Sequence, residues 1–449
     1  MSPSQTEKMS SNLKNMFRAL TVRNYRLFFA GQGISLIGTW IQRTTMGWFV
    51  YRLTDSVFLL GLISFLSMIP SIFVSPFAGT WADRWNRHKI IIGTQIAFCI
   101  QTSLLAIFVL TGVISSSRIW ILMLLALAQG LIEGVDAPIR QSFVIDLVQV
   151  KSMVPNAIAM NSAMFNAARL VGPALGGFLI QAFGEAICFS INAVSYIAVI
   201  AMLFMMRIHY ERQAPTQEST IRKIVEGWRY AWHQFPIRIL VANLAVYTMF
   251  GMSYATLLPV FARDILKGSS STLGLMLSTA GIGALIGSFF LASRTTIRGI
   301  ANRMLWIGMA VSCTLVVFSF SNSIYVNLPL MVIIGFGMMM QMASTNTLIQ
   351  SVVEDKMRGR VLSIYTMAFT AVTPFGSLLV GSLSSEFGVQ WAMAACALIC
   401  FFWSLSGFSI LSKFSRAVLR MLIRAENQEI YRPRQVRLSL KPGVVNESI

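Results

Sequence analysis

The sequence predicts an all-α membrane protein with twelve transmembrane helices arranged as two pseudo-symmetric six-helix bundles. Three observations carry that expectation. Apolar residues make up 55% of the 449 residues and charged residues only 12%, about half the charge of an ordinary soluble chain. Apolar runs of roughly 20 residues, enough to cross a hydrocarbon layer about 30 Å thick, recur along the whole chain. The later runs also repeat the glycine pattern of the earlier ones.

Bounded by charged or turn residues, the runs are Arg26 to Val50, Val57 to Trp81, Ile90 to Val113, Ile119 to Ile139, Asn161 to Phe183, Ala186 to Met206, Arg238 to Phe261, Thr272 to Ala292, Arg303 to Asn322, Tyr325 to Thr347, Val361 to Ser384 and Val389 to Leu411. None alternates strictly over about ten residues, as a barrel strand in a membrane would. The first 25 residues contain no long apolar core with a small-residue cleavage site, so helix one is expected to do the targeting.

A net charge of +19 could suggest nucleic acid, but its distribution argues otherwise. Of the 36 lysines and arginines, 30 fall in the segments that would share one side with the termini. Only Arg52, Arg118, Arg263 and Lys267 fall on the other side, and Arg43 and Arg169 lie inside helices. Such asymmetry predicts that both termini are cytoplasmic, and the expected location is a bacterial inner membrane. The expected partners are a small-molecule substrate, protons and a bilayer with an anionic inner leaflet, which attracts the basic segments; no nucleic acid is expected. The chain is expected to act as a monomer. Its five cysteines all lie within the runs without CxxC spacing, so neither disulfide, metal nor cofactor is predicted.

The longest polar interruption divides the runs six and six. The expected organisation is an N-terminal bundle over 1–206, a cytoplasmic linker over 207–237, a C-terminal bundle over 238–411 and a basic tail over 412–449. Within the linker, Ile221, Ile224, Val225, Trp228, Trp232 and Phe235 recur at helical spacing opposite Arg222, Lys223, Glu226 and Arg229, the pattern of an interfacial amphipathic helix. The halves match in order. Gly172, Gly177, Phe183 and Gly184 of helix five return 204 residues later as Gly376, Gly381, Phe387 and Gly388 of helix eleven, and Leu60 to Leu62 return as Leu273 to Leu275. Two six-helix repeats around a midplane site form a transporter plan, because rocking one half on the other exposes the site to each side in turn.

The strongest local motif is Gly79-Thr-Trp-Ala-Asp83-Arg84-Trp-Asn-Arg87-His88-Lys89, between helices two and three. A small residue allows close helix approach, an acid can cap a neighbouring helix, and flanking cations clamp a short turn. This string resembles motif A of the major facilitator superfamily. Arg169-Leu-Val-Gly172-Pro173-Ala-Leu-Gly176-Gly177 resembles the helix-five motif of its drug exporters. Gly38 to Gln42, Pro155 to Ala157 and Arg358 to Val361 extend the likeness to the enterobactin-exporter and macrolide-efflux branch, over nearly the whole chain up to Leu411. The resemblance implies the major facilitator fold and a cytoplasmic gate at Gly79, Asp83, Arg84, Arg87 and Arg140. Asp83 would cap helix eleven, and Arg84 and Arg87 would pair with carboxylates near the inner end of helix four. His88 is expected as a solvated loop histidine. Ala126 stands where proton-coupled relatives often carry an arginine.

Helix four carries Gln129, Glu133, Asp136 and Arg140 at spacings of four, three and four, which places them on one helical face. Ionisable groups at membrane depth are costly and mark functional sites. Glu133 and Asp136 are the candidates for proton coupling, with Glu133 the deeper and Asp136 partnered by Arg140; an ion-pair lattice that merely holds the gate is the competing reading. Arg169 is expected to neutralise Glu133 or to meet an anionic substrate, and Arg43 either to snorkel outwards or to line the cavity. Further cavity candidates are Gln32, Ser35, Thr39 and Gln42 on helix one, Asn243, Tyr247 and Tyr254 on helix seven, and Gln341 and Thr345 on helix ten.

These features predict a secondary exporter of a bulky small molecule, a siderophore or a hydrophobic drug, driven by protons. A non-transporting receptor or scaffold on the same fold is the alternative. No nucleotide-binding loop, GxSxG or HExxH string occurs, so no enzyme activity is expected.

Overall fold

A computed structural model describes residues 17–148, 150–208, 220–294 and 299–430; within them the side chains at 80, 82–84, 151, 220–224, 355–356, 419 and 422–430 are outside the description. The described chain is helical from end to end and contains no strand. Helices one to six are Arg23–Thr54, Val57–Arg84, Arg87–Leu110, Ile119–Leu147, Val154–Phe183 and Glu185–Phe204. A linker helix, Thr220–His233, follows. Helix seven covers Phe235–Ile265. Helices eight to twelve are Ser270–Ala292, Ile300–Phe320, Ile324–Val352, Asp355–Phe387 and Val389–Ile430. Helix twelve therefore runs well past Leu411.

Eleven of these helices are long and apolar enough to cross a membrane. Helix one is not among the eleven, although its 32 residues are ample in length. Its composition is diluted by groups that it buries inside the protein rather than showing to lipid: Gln32, Ser35, Gln42, Thr44 and Thr45 are all buried. Gln42 Oε1 accepts from Asn192 Nδ2 at 2.6 Å and from Thr102 Oγ1 at 3.2 Å. Buried polar groups in a bundle must find partners within it, and here they bind helix one to helices three and six.

Short, chemically defined turns join the spans. Ser56 caps helix two by accepting from the Leu59 amide, and Asn86 caps helix three by accepting from the amides of His88 and Lys89. Helices five and six turn at Gly184 with φ of 81°, and helices eleven and twelve turn at Gly388 with φ of 84°. The two are equivalent positions of the sequence repeat, and each needs a backbone geometry that a side chain would strain.

Helix seven departs from the regular span expected from its sequence. Its α-helix Phe235–Val246 passes into a π turn over Tyr247–Gly251, resumes as α over Tyr254–Val260 and widens again over Phe261–Ile265. Pro259 cannot donate to the ladder, and π turns break the side-chain register without ending the helix. Met252, Ser253, Ala255 and Thr256, between the two π turns, face the space between the bundles.

Candidate functional site

That space is a cavity of about 1410 Å³, walled by helices one, two, four and five from the first bundle and seven, ten and eleven from the second. It extends from Val50 and Leu60 to Gly79, Gln141 and Arg360, and so opens towards the end of the protein that carries the linker helix.

At the opposite end the bundles are in contact. On helix five, a Cβ at Gly177 would lie 2.9 Å from Gly274 Cα on helix eight; on helix two, a Cβ at Gly61 would lie 3.1 Å from Gly381 Cα on helix eleven. The two contacts are copies of one another through the sequence repeat, so the Leu-Gly-Leu and helix-five similarities describe the seam between the halves. Beyond the seam, the Tyr51 hydroxyl donates to Asp264 Oδ2, and Arg263 Nη1 stands 2.6 Å from Asp55 Oδ1. Both links join helix one or its end to helix seven.

Among the described residues, four charged ones line the cavity: Arg43, Glu133, Arg169 and Arg360. Arg360 pairs with Glu226 of the linker helix at 2.7 Å. Glu133 Oε1 lies 4.0 Å from both Arg43 Nη2 and Arg140 Nη2, wider than a hydrogen-bonded pair. Arg43 Cζ sits 5.3 Å and Arg169 Cζ 6.0 Å from the centre of the Trp40 ring, within cation–π range. Trp40 also meets Phe165 edge to face at 5.9 Å. The expected Arg169–Glu133 pair is therefore not formed; Glu133 turns to Arg43 and Arg140, and Arg169 rests on an aromatic ring. Arg43 lines the cavity instead of reaching for the outer interface.

Helix four does not present its polar residues as one face to the cavity. Gln129 and Glu133 line it, whereas Asp136 is wholly buried. Asp136 Oδ1 accepts from Thr94 Oγ1 at 2.6 Å and Gln95 Nε2 at 2.9 Å, and its Oδ2 stands 3.1 Å from Arg140 Nε. Asp136 is thus the more enclosed of the two acids, held between helices three and four, and Glu133 is the one open to the cavity, a third exposed. Arg140 closes this cluster within helix four.

Several polar candidates lie elsewhere. Gln32, Ser35 and Thr39 are absent from the wall, and Thr39 Oγ1 binds its own helix at Ser35 and meets Tyr196 Oη at 3.5 Å. Of that stripe Gln42 alone lines the cavity. In the second bundle Asn243 Nδ2 donates to Gln341 Oε1, Trp403 Nε1 donates to Asn243 Oδ1, and Tyr247 pairs with Ser404. Gln341, Thr345 and Tyr254 are likewise buried off the wall. Asn243, Tyr247 and Gln341, which also donates to the Met304 carbonyl, tie helices seven, nine, ten and twelve together, because a polar side chain in a bundle interior is satisfied most readily by a neighbouring helix; Thr345 bonds back to Gln341 of its own helix.

Gly79 lies on the rim of the cavity. The side chains of Asp83 and Arg84 fall outside the described residues. Arg87 Nη1 stands 2.8 Å from Asp146 Oδ2, near the end of helix four. His88 is not a solvated loop residue: its ring stacks on Phe143 at 5.8 Å, and its Nε2 lies 2.9 Å from the Leu203 carbonyl. In helix five, Gly172 seats Trp40, since a Cβ there would collide with the Trp40 Cβ; Gly176 packs on Ile41, and Pro173 is buried beside them. The residues overlooked in the sequence are Trp40, Tyr51, Asp55, Arg263 and Asp264. Trp40 had a readable signal, three residues before Arg43 on one helix face.

Two helical bundles enclosing a largely apolar cavity that carries a few charged groups, closed at one end and open at the other, have the architecture of a multi-pass membrane transporter. The chain belongs to the transmembrane secretion effector family of the major facilitator superfamily, whose description matches residues 15–429. It is 25% identical over 383 residues to the staphyloferrin A transporter of Staphylococcus aureus, covering 84% of this chain and 94% of that one. It is 21% identical over 389 residues to the multidrug efflux pump Tap of Mycolicibacterium fortuitum, covering 85% and 91%. Among solved structures it resembles a bacterial homologue of the human lysosomal transporter Spinster, inward-facing and unoccupied, with a TM-score of 0.71 and 15% identity over 89% of this chain and 98% of that one.

Proposed function

We propose that the protein is a proton-driven exporter that carries a bulky small molecule, of the size of a siderophore or a hydrophobic drug, out across the bacterial inner membrane as a monomer. The observation that carries this reading is the cavity of about 1410 Å³ between the bundles, larger than ordinary small-molecule sites of roughly 300–1,000 Å³. With both termini in the cytoplasm, as the distribution of basic residues supports, the cavity faces inwards and can load from that side. Two relatives support a bulky small-molecule cargo, one named a staphyloferrin A transporter and the other a multidrug efflux pump.

Glu133 is the proton carrier in this proposal. It is the sole carboxylate on the cavity wall among the described residues. It faces Arg43 from helix one and Arg140 on its own helix, with Tyr196 of helix six and Asp136 close by. Protonating it frees Arg43, whereas Arg140 keeps Asp136 as its partner; releasing the proton restores the counter-charge of Arg43. Inside-out vesicles test the mechanism: with an imposed pH gradient the wild type should accumulate cargo and alkalinise the lumen in step. Cargo accumulation that ignores the gradient, or a Glu133→Gln variant with unchanged proton movement, would remove Glu133 from the mechanism.

A further inference from the structure

We infer that the cargo is a multivalent anion with a planar, aromatic-type body, held between Arg43 and Arg169 against Trp40, and that Glu133 occupies its place electrostatically when the cavity is empty. The inference rests on the export reading for the word cargo, but the binding site stands on its own geometry.

Among the described residues, the wall carries three arginines and one glutamate. Arg360 is matched by Glu226. Arg43 has Glu133 at 4.0 Å, a glutamate it shares with Arg140. No carboxylate among the described residues stands within ion-pair distance of Arg169. A guanidinium at membrane depth is costly unless it is paired or wet, and an aromatic ring offsets that cost only in part. Among the described residues, the wall therefore holds positive charge in excess of what its carboxylate neutralises, and Arg169 is placed to receive negative charge.

Geometry narrows the class. Both guanidinium carbons lie within 6.0 Å of one ring centre, so they can be no more than about 11 Å apart and one molecule of modest span can reach both. Guanidinium groups prefer carboxylate-type anions because two parallel donors match two oxygens. Trp40 and Phe165 supply apolar faces beside these donors, with Phe165 44% exposed, suited to a flat group rather than a bare inorganic ion. The helix-five motif takes part as a positioning device: Gly172 leaves the room in which the Trp40 Cβ sits, and Trp40 sets where both arginines rest.

Glu133 gives the site a signature that a purely structural glutamate would lack. Its long pairing to Arg43 is a contact that an incoming carboxylate can replace, so the residue competes with the cargo. Removing its charge should tighten anion binding, whereas a purely structural glutamate would weaken it or leave it alone.

The test is equilibrium binding to the purified full chain in detergent, read by calorimetry, with three matched probes: naphthalene dicarboxylate, its neutral dimethyl ester and the corresponding diamine. The dicarboxylate is expected to bind at least about ten-fold more tightly than either partner probe. Arg169→Gln and Arg43→Gln should each weaken it by about ten-fold, with Arg169→Lys intermediate, and Glu133→Gln should tighten it by several fold. Trp40→Leu should erase the preference for the aromatic dicarboxylate over an aliphatic one of equal length. Size-exclusion profiles identify a variant that fails to fold, and the Lys substitution then stands in for it. Equal or tighter binding of the ester or diamine, undiminished binding by Arg169→Gln, or no binding of the dicarboxylate to the wild type would each overturn the inference. Dicarboxylate binding without vesicle export would instead count against the transport reading alone.

Discussion

Gly177 of helix five and Gly274 of helix eight meet so closely that a Cβ on Gly177 would lie 2.9 Å from the Gly274 Cα. The repeat places Gly61 and Gly381 in the same relation on the other side of the seam. The atoms in the way are backbone, so a methyl group can be admitted only by moving one bundle from the other. Overpacking of this kind costs about 1–3 kcal/mol, and the penalty falls on the conformation closed at this end. Gly274→Ala, and equally Gly61→Ala, should therefore populate the oppositely open form. In a cysteine-free background carrying Ser253→Cys on the cavity wall, a membrane-impermeant maleimide added from the far side should react about ten-fold faster in either variant. Unchanged labelling would mean that the glycine seam does not set which end is open.

Among the polar links at the same end, exposure decides which of the two between helices one and seven is the stronger. Arg263 and Asp55 form an ion pair in which Asp55 is 70% exposed, and such pairs contribute at most about 1 kcal/mol. Tyr51 is buried and donates to a carboxylate, a bond of about 1.5–3 kcal/mol when one partner is charged. Tyr51→Phe should thus speed far-side labelling by about ten-fold and Asp55→Asn by about three-fold or less. The reverse order would show that the surface pair, and not the tyrosine, latches the gate.

Asp136 and Glu133 are three residues apart, yet substitution should separate them cleanly. Asp136 is enclosed with Arg140, Thr94 and Gln95, and removing one partner of a buried ion pair costs about 3–5 kcal/mol. Asp136→Asn should lower the thermal unfolding temperature of the purified protein markedly. Glu133→Gln, open to the cavity and loosely paired, should leave unfolding almost unchanged while altering transport. Comparable unfolding temperatures for the two variants would contradict this division of labour.

The helical architecture was legible because the bilayer imposes a length and a polarity on each span, and the repeat was legible because Gly177 and Gly381 are needed in both halves for one physical reason. Side-chain direction was harder to read. Helical spacing placed Glu133 and Asp136 on one face, but a face about 100° wide can border both a cavity and a neighbouring helix. Polar stripes such as Gln32 to Gln42 and Asn243 to Tyr247 carry the same sequence signature whether they line water or join helices, and here they mostly join helices. Helix one illustrates the limit from the other side: its buried glutamines dilute the very hydropathy by which spans are found. The far-end links were invisible for another reason, since Tyr51 and Asp264 are 213 residues apart and neither belongs to a recognisable motif.

Arg87 opens helix three and stands 2.8 Å from Asp146 near the end of helix four, beside a histidine that stacks on Phe143 of the same helix. Among the described side chains of the motif between helices two and three, Arg87 and His88 anchor it to helix four through an ion pair and a ring contact. Asp146 is 36% exposed, so the pair should contribute no more than about 1 kcal/mol to stability, and its value lies in direction: it fixes where the loop ends. Reversing either charge, Arg87→Asp or Asp146→Arg, sets like charges against each other and should cut vesicle export to about a fifth with little change in unfolding temperature. The double reversal restores attraction across the same gap and should recover more than about half of the lost export. Export that stays low in the double variant, with the protein folded and inserted, would mean that Arg87 acts through its other neighbours and that the Asp146 contact is incidental.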